Sequence, residues 1–292
     1  MTKDAGTTLR LIMPQWQGGD EPGYFFGSRL LAWLAPAPTG PVETVPVPEP
    51  QPGETLVNES GIVARAAVKR QAQAARALID KHRPDRIVTI GGDCLVDLAP
   101  MAYLNERYGG SLGVLWVDAH PDVVPAEHYP NAHAHVLGAL LGRADPDLTA
   151  EVRLPIQPSR VMYAGLDTWA RVEGEVIESL GLRRAGSAAL ADSSAPVLDW
   201  IAEQEITRLA IHFDLDVLDP ALFGPLLFNR PGLPAGAYPG VPRGRMTPEQ
   251  VIRLLGDVAI ACDVVGLALT EHLPWEALAT RDLLRRLPLL AG

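Results

Sequence analysis

An apolar run, Leu112 to Val117, stops abruptly at Asp118-Ala119-His120-Pro121-Asp122. Such a run bounded by polar residues reads as a strand covered on both faces, the form strands take in parallel sheets. Open α/β sheets keep their ligand sites at the carboxyl ends of these strands. In extended geometry side chains alternate with a period of two, so Asp118, His120 and Asp122 are expected on one face. Pro121 then takes the chain out of regular pairing. Two carboxylates and an imidazole converging there suit a divalent ion of the manganese, iron or zinc kind. A strand end with a solvated Asp and a capping carboxylate is the plainer reading of the same residues.

A second stretch, Ala210 to Pro220, repeats the pattern with Asp214 and Asp216 two apart at a strand end. Clustered carboxylates repel, and burial raises the cost unless a cation neutralises them. Two strand ends with ligands of this type therefore point to a metal site, and their number to a binuclear one. A third strand end supplies Gly91-Gly92-Asp93-Cys94, and a fourth Thr270-Glu271-His272. Glu271 reads as a bidentate anchor for a cationic substrate or as a structural cap. Cys94 reads as a ligand or as a small buried hydrophobe. His212, just before the second aspartate pair, is assigned to the opposite face of its strand, and His82, His128 and His272 to the surface or the scaffold.

Along the chain, strands are expected at Thr8–Met13, Asp85–Ile90, Leu112–Val117, Arg160–Leu166, Arg208–Val217 and Val264–Leu269. Helices are expected at Tyr24–Leu34, Gly61–His82 (the longest), Leu95–Arg107, Val172–Leu180, Ala195–Glu205, Thr247–Ala261 and Trp275–Leu290. Pro36 to Pro52 is too proline-rich for anything but an edge strand, at Val42–Val47. Repeated strand–helix units imply an α/β fold with a mostly parallel central sheet covered on both faces. With 292 residues, the simplest organisation is a single domain over residues 1–292. The Pro- and Gly-rich stretch Phe223–Arg245 has the length of an active-site wall, its tip (Leu226, Leu227, Phe228) serving equally as a subunit contact.

Composition excludes several classes. A net charge of −10 argues against a nucleic-acid surface and mildly favours cationic substrates. No apolar stretch is long enough to span a bilayer, and no secretory signal opens the chain, so no membrane partner is expected. Two cysteines, Cys94 and Cys262, offer no disulfide framework and fit a reducing, cytoplasmic setting.

The four strand-end stretches together resemble the ureohydrolase family, the arginases, agmatinases and their relatives, from Ile87 to Glu271. Gly91 to Cys94, Asp118 to Asp122, Asp214 to Pro220 and Glu271 stand where that family carries its motifs, in the same order. The resemblance implies a three-layer α/β/α fold, two bridged Mn²⁺ ions, a small guanidino substrate, and homo-oligomers, commonly trimers or hexamers. It makes Asp118 and Asp214 the bridging ligands, with His120 and Asp216 completing one site and Asp122 and Cys94 the other. Hydroxide between the ions would be the nucleophile, oriented by Asp122, with Glu271 holding the guanidinium. Asn131-Ala132-His133 sits where arginases carry a proton-transferring histidine, which implies that role for His133, with His135 as second choice.

Two positions depart from the family. Cys94 replaces a ligand histidine, and a thiolate suits Zn²⁺ or Fe²⁺ better than Mn²⁺. Of the two carboxylates that hold an arginine's amino-acid end, Glu173 matches one while the other falls at Ala170. L-arginine is therefore a doubtful substrate, and Asp167, Trp169 and Arg171 are candidates for serving or shaping a different pocket. The expected activity is hydrolysis of linear C–N bonds in a guanidino or amidino compound. The rivals are a catalytically silent binding member and a deacetylase-like amide hydrolase.

Overall fold

The computed structural model of the chain describes residues 6–234, 236–276, 280 and 283–290. Strand β1 (Thr8–Met13) leads through α1 (Gly23–Leu34) to the short β2 (Val42–Thr44) and a two-residue hairpin, β3 (Asn58–Glu59) and β4 (Ile62–Val63). Next come α2 (Arg65–His82), β5 (Arg86–Gly91), α3 (Leu98–Arg107) and β6 (Gly113–Val117). The small helices α4 (Val136–Leu140) and α5 (Pro146–Thr149) precede β7 (Val161–Ala164), α6 (Arg171–Leu180), β8 (Arg183–Ala185) and α7 (Ala195–Glu203). The last elements are β9 (Arg208–Asp214), α8 (Pro248–Ala261) and β10 (Asp263–Thr270).

Eight strands form one parallel sheet in the order β2-β1-β5-β10-β9-β6-β7-β8. Alternate residues feed its two faces. Val114 and Trp116 of β6 pack into a core built with α2, α3, α4 and α6, while Leu115 and Val117 pack into another with α1, α7 and α8. All five β6 residues are buried, each large apolar one contributing roughly 1.5–3 kcal/mol. This is the expected three-layer α/β/α architecture. The four strands that carry the motifs, β5, β10, β9 and β6, are adjacent, although β9 and β10 enter the sheet last and fill the gap between the other two.

Several boundaries differ from expectation for identifiable reasons. Helix α2 begins at Arg65 rather than Gly61, because Ile62 and Val63 pair with Asn58 and Glu59 and Ala64 turns left-handed at φ 50°. Strand β9 ends at Asp214, not Val217, since Leu215–Val217 wind into a 3-10 turn. The stretch before α3 is likewise a 3-10 turn, Cys94–Asp97. The edge strand β8 escapes sequence reading because Arg183 and Arg184 carry no apolar signal. Of the predicted Trp275–Leu290 helix, residues 277–279 and 281–282 lie outside the described residues, and 285–290 are turns and a bend. Among the described residues no helix is long and apolar enough to cross a membrane.

One buried histidine fixes how α1 meets the sheet. A Cβ on Gly27 would lie 1.8 Å from the His272 carbonyl oxygen, so only glycine admits this approach. The His272 ring bonds the Gly27 carbonyl through Nδ1 (3.0 Å) and Thr280 Oγ1 through Nε2 (3.0 Å). Burial pushes its pKa down from 6.5 to about 4. The unfolded chain thus takes up a proton that the fold refuses, and stability complete above pH 6.5 is lost as pH falls toward 4, by up to about 3 kcal/mol. Urea unfolding at pH 7 and pH 5 is expected to show this loss, and His272→Gln to flatten it. Equal pH dependence in both proteins would contradict the assignment.

Candidate metal centre

Three strand tips end in the same device. Asp93 after β5 accepts the amide of Leu95 (3.1 Å), Asp118 after β6 that of His120 (2.7 Å), and Asp214 ending β9 that of Asp216 (2.7 Å). Each aspartate replaces the lost ladder partner with its own side chain and turns the chain sharply. The pairing registers keep the tips level, with Val117 beside Phe213 and Thr270 beside Asp214. The acidic residues therefore meet through tight turns rather than along extended strands, where alternation placed them.

The donors gather closely. His120 Nδ1 lies 3.1 Å from Asp216 Oδ2 and 3.6 Å from Asp118 Oδ1. Cys94 Sγ lies 2.9 Å from Asp214 Oδ2 and 3.5 Å from Glu271 Oε1. Three sets have their donor atoms within 4.8 Å of one another: Asp118, His120 and Asp216; Cys94, Asp214 and Glu271; and Cys94, Asp118, Asp122 and His212. Asp122 Oδ2 and Asp216 Oδ1 are buried without a hydrogen-bond partner. Asp122 and Glu271 also hold left-handed backbones, at φ 52° and 59°, strain of the kind that collects at functional sites.

Burial, then the Asp118 charge, pushes the Asp122 pKa far up; burial, then Asp216 and Glu271, does the same to Asp214. Glu271 rises to about 7 by burial and the Asp216 charge. Burial and the neighbouring carboxylates hold Cys94 as a thiol. The cluster therefore retains protons that a cation would displace. Hard oxygens, two imidazoles and one thiol, with two carboxylate oxygens lacking any donor, make a set that fits divalent metal ions.

Above the cluster opens a cavity of ≈ 400 Å³, lined by Cys94, His120, Asp122, Asp216 and Glu271, with Asp20, Glu21 and Glu173 also in its walls. Leu227, Phe228, Tyr238 and Val241, from the long loop after β9, form part of the wall. His133 lines the cavity and bonds the Gly18 carbonyl through Nδ1 (2.9 Å), and burial lowers its pKa. His135 is fully buried against the Tyr129 carbonyl and outside the lining. Glu173 caps α6 by accepting the Ala170 amide (2.8 Å). Trp169 lies under Arg184, Arg171 pairs with Glu175, and Asp167 accepts from Ser187; none of the three lines this cavity.

Sequence reading missed two participants. The Tyr24 hydroxyl donates to Glu271 Oε2 (2.7 Å) across 247 positions of chain, a contact no local pattern announces. His212 is not on the opposite face: its Nε2 lies 3.5 Å from Asp118 Oδ2, and Nδ1 is 2.6 Å from Asp97. The signal was present, since a period of two puts residue 212 with 214. In the metal-free protein Asp214→Asn is expected to raise the thermal midpoint by a few degrees, by relieving buried like charges. It should also abolish the stabilisation that added Mn²⁺ or Zn²⁺ gives the wild type. Melting with and without metal reads both effects; an unchanged metal response would remove Asp214 from the centre.

Comparison with known proteins agrees with this geometry. A model described as "Arginase family" matches residues 43–225. The arginase of Eremothecium gossypii is 26% identical over 251 residues, 78% of this chain and 54% of its own length. That of Bacillus caldovelox is 27% identical over 181 residues, 58% of each chain. The chain matches somewhat over half the length of these curated relatives. Among solved structures, Bacillus caldovelox arginase superposes with a TM-score of 0.80 at 21% identity, covering 98% of this chain and 99% of that one. Entamoeba histolytica arginase in complex with L-ornithine gives 0.79 at 21% identity, covering 96% and 95%. These likenesses show the fold. The family match covers well over half of the 292 residues, both aspartate pairs included, and the chain belongs to the arginase family.

Proposed function

We propose that the chain is a metal-dependent hydrolase that cleaves a linear C–N bond of a guanidino or amidino compound, releasing urea or a related amide. The observation that carries this reading is the convergence of four strand tips into a buried acidic floor with unpartnered oxygens. The cavity above it has no Lys or Arg among its described lining residues, so a cation is the favoured occupant.

Cys94, Asp118, His120, Asp122, Asp214 and Asp216 would hold the metal. Two Mn²⁺ ions are the family's complement, with Zn²⁺ or Fe²⁺ better matched beside the Cys94 thiolate. When bound, the metal supplies Lewis acidity and lowers the pKa of water toward neutrality. Glu271 exchanges the Tyr24 hydroxyl for paired N–H donors of the guanidinium and fixes its plane. Asp122, through its unpartnered oxygen, accepts a hydrogen bond from the attacking water and aims it at the guanidinium carbon. Asp122 takes one proton from the water as the carbon gains the oxygen, the remaining hydroxyl proton passes to the substituted nitrogen as its C–N bond breaks and the carbonyl forms, and His133 relays the proton that turns the freed amine into an ammonium.

The substrate's tail meets Tyr129, Phe228, Tyr238 and Val241. Ala170 offers no carboxylate, and Glu173 already serves the helix amide. An apolar or short tail therefore fits better than an α-amino acid. After chelation, the protein is to be reloaded with Mn²⁺, Fe²⁺ or Zn²⁺ and offered agmatine, guanidinobutyrate, guanidinopropionate, arginine and hydroxyarginine. Metal-dependent urea release is expected from at least one of them, with arginine the poorer substrate by about tenfold or more, a difference of roughly 1.4 kcal/mol. Glu271→Gln should lower kcat/KM by about 100-fold or more, as loss of a charged, paired contact does. Metal binding without turnover would instead indicate a silent binding protein, and acetate release from amides a deacetylase-like enzyme.

A further inference from the structure

His212 has no part in the ligand set that the aspartate motifs mark out, yet its surroundings are those of a metal ligand. The ring is fully buried and stacked on Trp116, centroids 3.7 Å apart and planes 10° from parallel. Nδ1 is held 2.6 Å from Asp97 Oδ2. Nε2 lies 3.5 Å from Asp118 Oδ2 and has no hydrogen-bond partner. A buried imidazole fixed by a carboxylate on one nitrogen, with the other nitrogen facing ligand atoms, is how proteins orient a metal-binding histidine.

We propose that His212, positioned by Asp97, is the imidazole donor of a four-ligand site completed by Cys94, Asp118 and Asp122. This deepens, and rests on, the metal-dependent reading above. The four donor atoms lie within 4.8 Å of one another. Cys94 and Asp97 bracket a single 3-10 turn, Cys94–Asp97, where residues three apart eclipse. One short turn thus supplies both the sulfur ligand and the carboxylate that orients the nitrogen ligand. Position 94 holds no imidazole, and His212 brings one to the same half of the centre from the neighbouring strand β9. One thiolate, one imidazole and two carboxylates select Zn²⁺ or Fe²⁺ over Mn²⁺. The opposite half, with Asp118, His120 and Asp216, lacks sulfur and suits the harder ion. The centre is then chemically asymmetric, each half preferring a different metal.

The test uses NMR-active cadmium, a spectroscopic substitute for zinc, on the full chain carrying nitrogen-labelled histidine. Scalar coupling of cadmium to two imidazoles is expected, one of which disappears in His212→Gln and the other in His120→Gln. Asp97→Asn should weaken Zn²⁺ binding at the Cys94 half by about 10- to 100-fold, read by competition with a chelator, while leaving the other half unchanged. Should His212→Gln not fold, the wild-type coupling count and Asp97→Asn still decide. Two bound ions with coupling to His120 alone would overturn the assignment and leave the metal-dependent reading standing. Failure to bind cadmium or zinc while Mn²⁺ still binds would overturn the assignment alone, and failure to bind any of the three would overturn both.

Discussion

The structure depends on repulsion held in check. Asp118, Asp122, Asp214, Asp216 and Glu271 are all buried, and each would be better solvated almost anywhere else on the protein. Without a cation, the fold manages them with protons and with the few donors that reach them, such as the amides of His120 and Asp216, the Cys94 thiol and the Tyr24 hydroxyl. Those donors leave Asp122 Oδ2 and Asp216 Oδ1 unserved. A parallel sheet covered by helices on both faces is the rigid support such an arrangement requires, because its tips cannot relax apart without unpairing the central strands.

The same logic separates the site's fixed parts from its adjustable ones. The aspartates sit on turns locked by their own side-chain bonds to the amide two residues on. The cavity walls come instead from connecting segments: the residues after β1, the stretch around His133, and the loop after β9. The placement of the acidic groups is thus set by the sheet, while the shape of the cavity above them is set by segments that can vary without disturbing it.

Much of this was legible in the sequence, and the exceptions share a cause. Leu112–Val117, Asp85–Ile90 and the alanine-rich α2 declare themselves because apolar patterning is local. The acidic pairs declare themselves because closely spaced carboxylates at the end of a buried strand are costly unless a cation offsets their charge. Alternation grouped Asp118, His120 and Asp122 correctly, but for the wrong backbone, since the strand stops at Val117 and side-chain bonds do the turning. Applied consistently, the same rule would have moved His212 to the side of Asp214. Tyr24 over Glu271, and Asp97 beneath His212, join segments far apart in the chain, and no spacing rule reaches them. Glu173 shows the opposite limit, because its position suits both a substrate contact and a helix cap, and the coordinates place it in the cavity wall while its Oε2 accepts the Ala170 amide.

The order in which the sheet fills has a consequence for biosynthesis. Strands β5 and β6 are made early but are not neighbours; β9 and β10, from the final third of the chain, wedge between them. A nascent chain that has emerged only as far as α7 therefore carries Cys94, Asp118 and Asp122 with no Asp214, Asp216 or Glu271 to face them. The acidic floor is therefore incomplete until β9 has emerged with Asp214 and Asp216. Until β9 and β10 are both made, the facing edges of β5 and β6 have no partner, and the sheet closes only with the last strand.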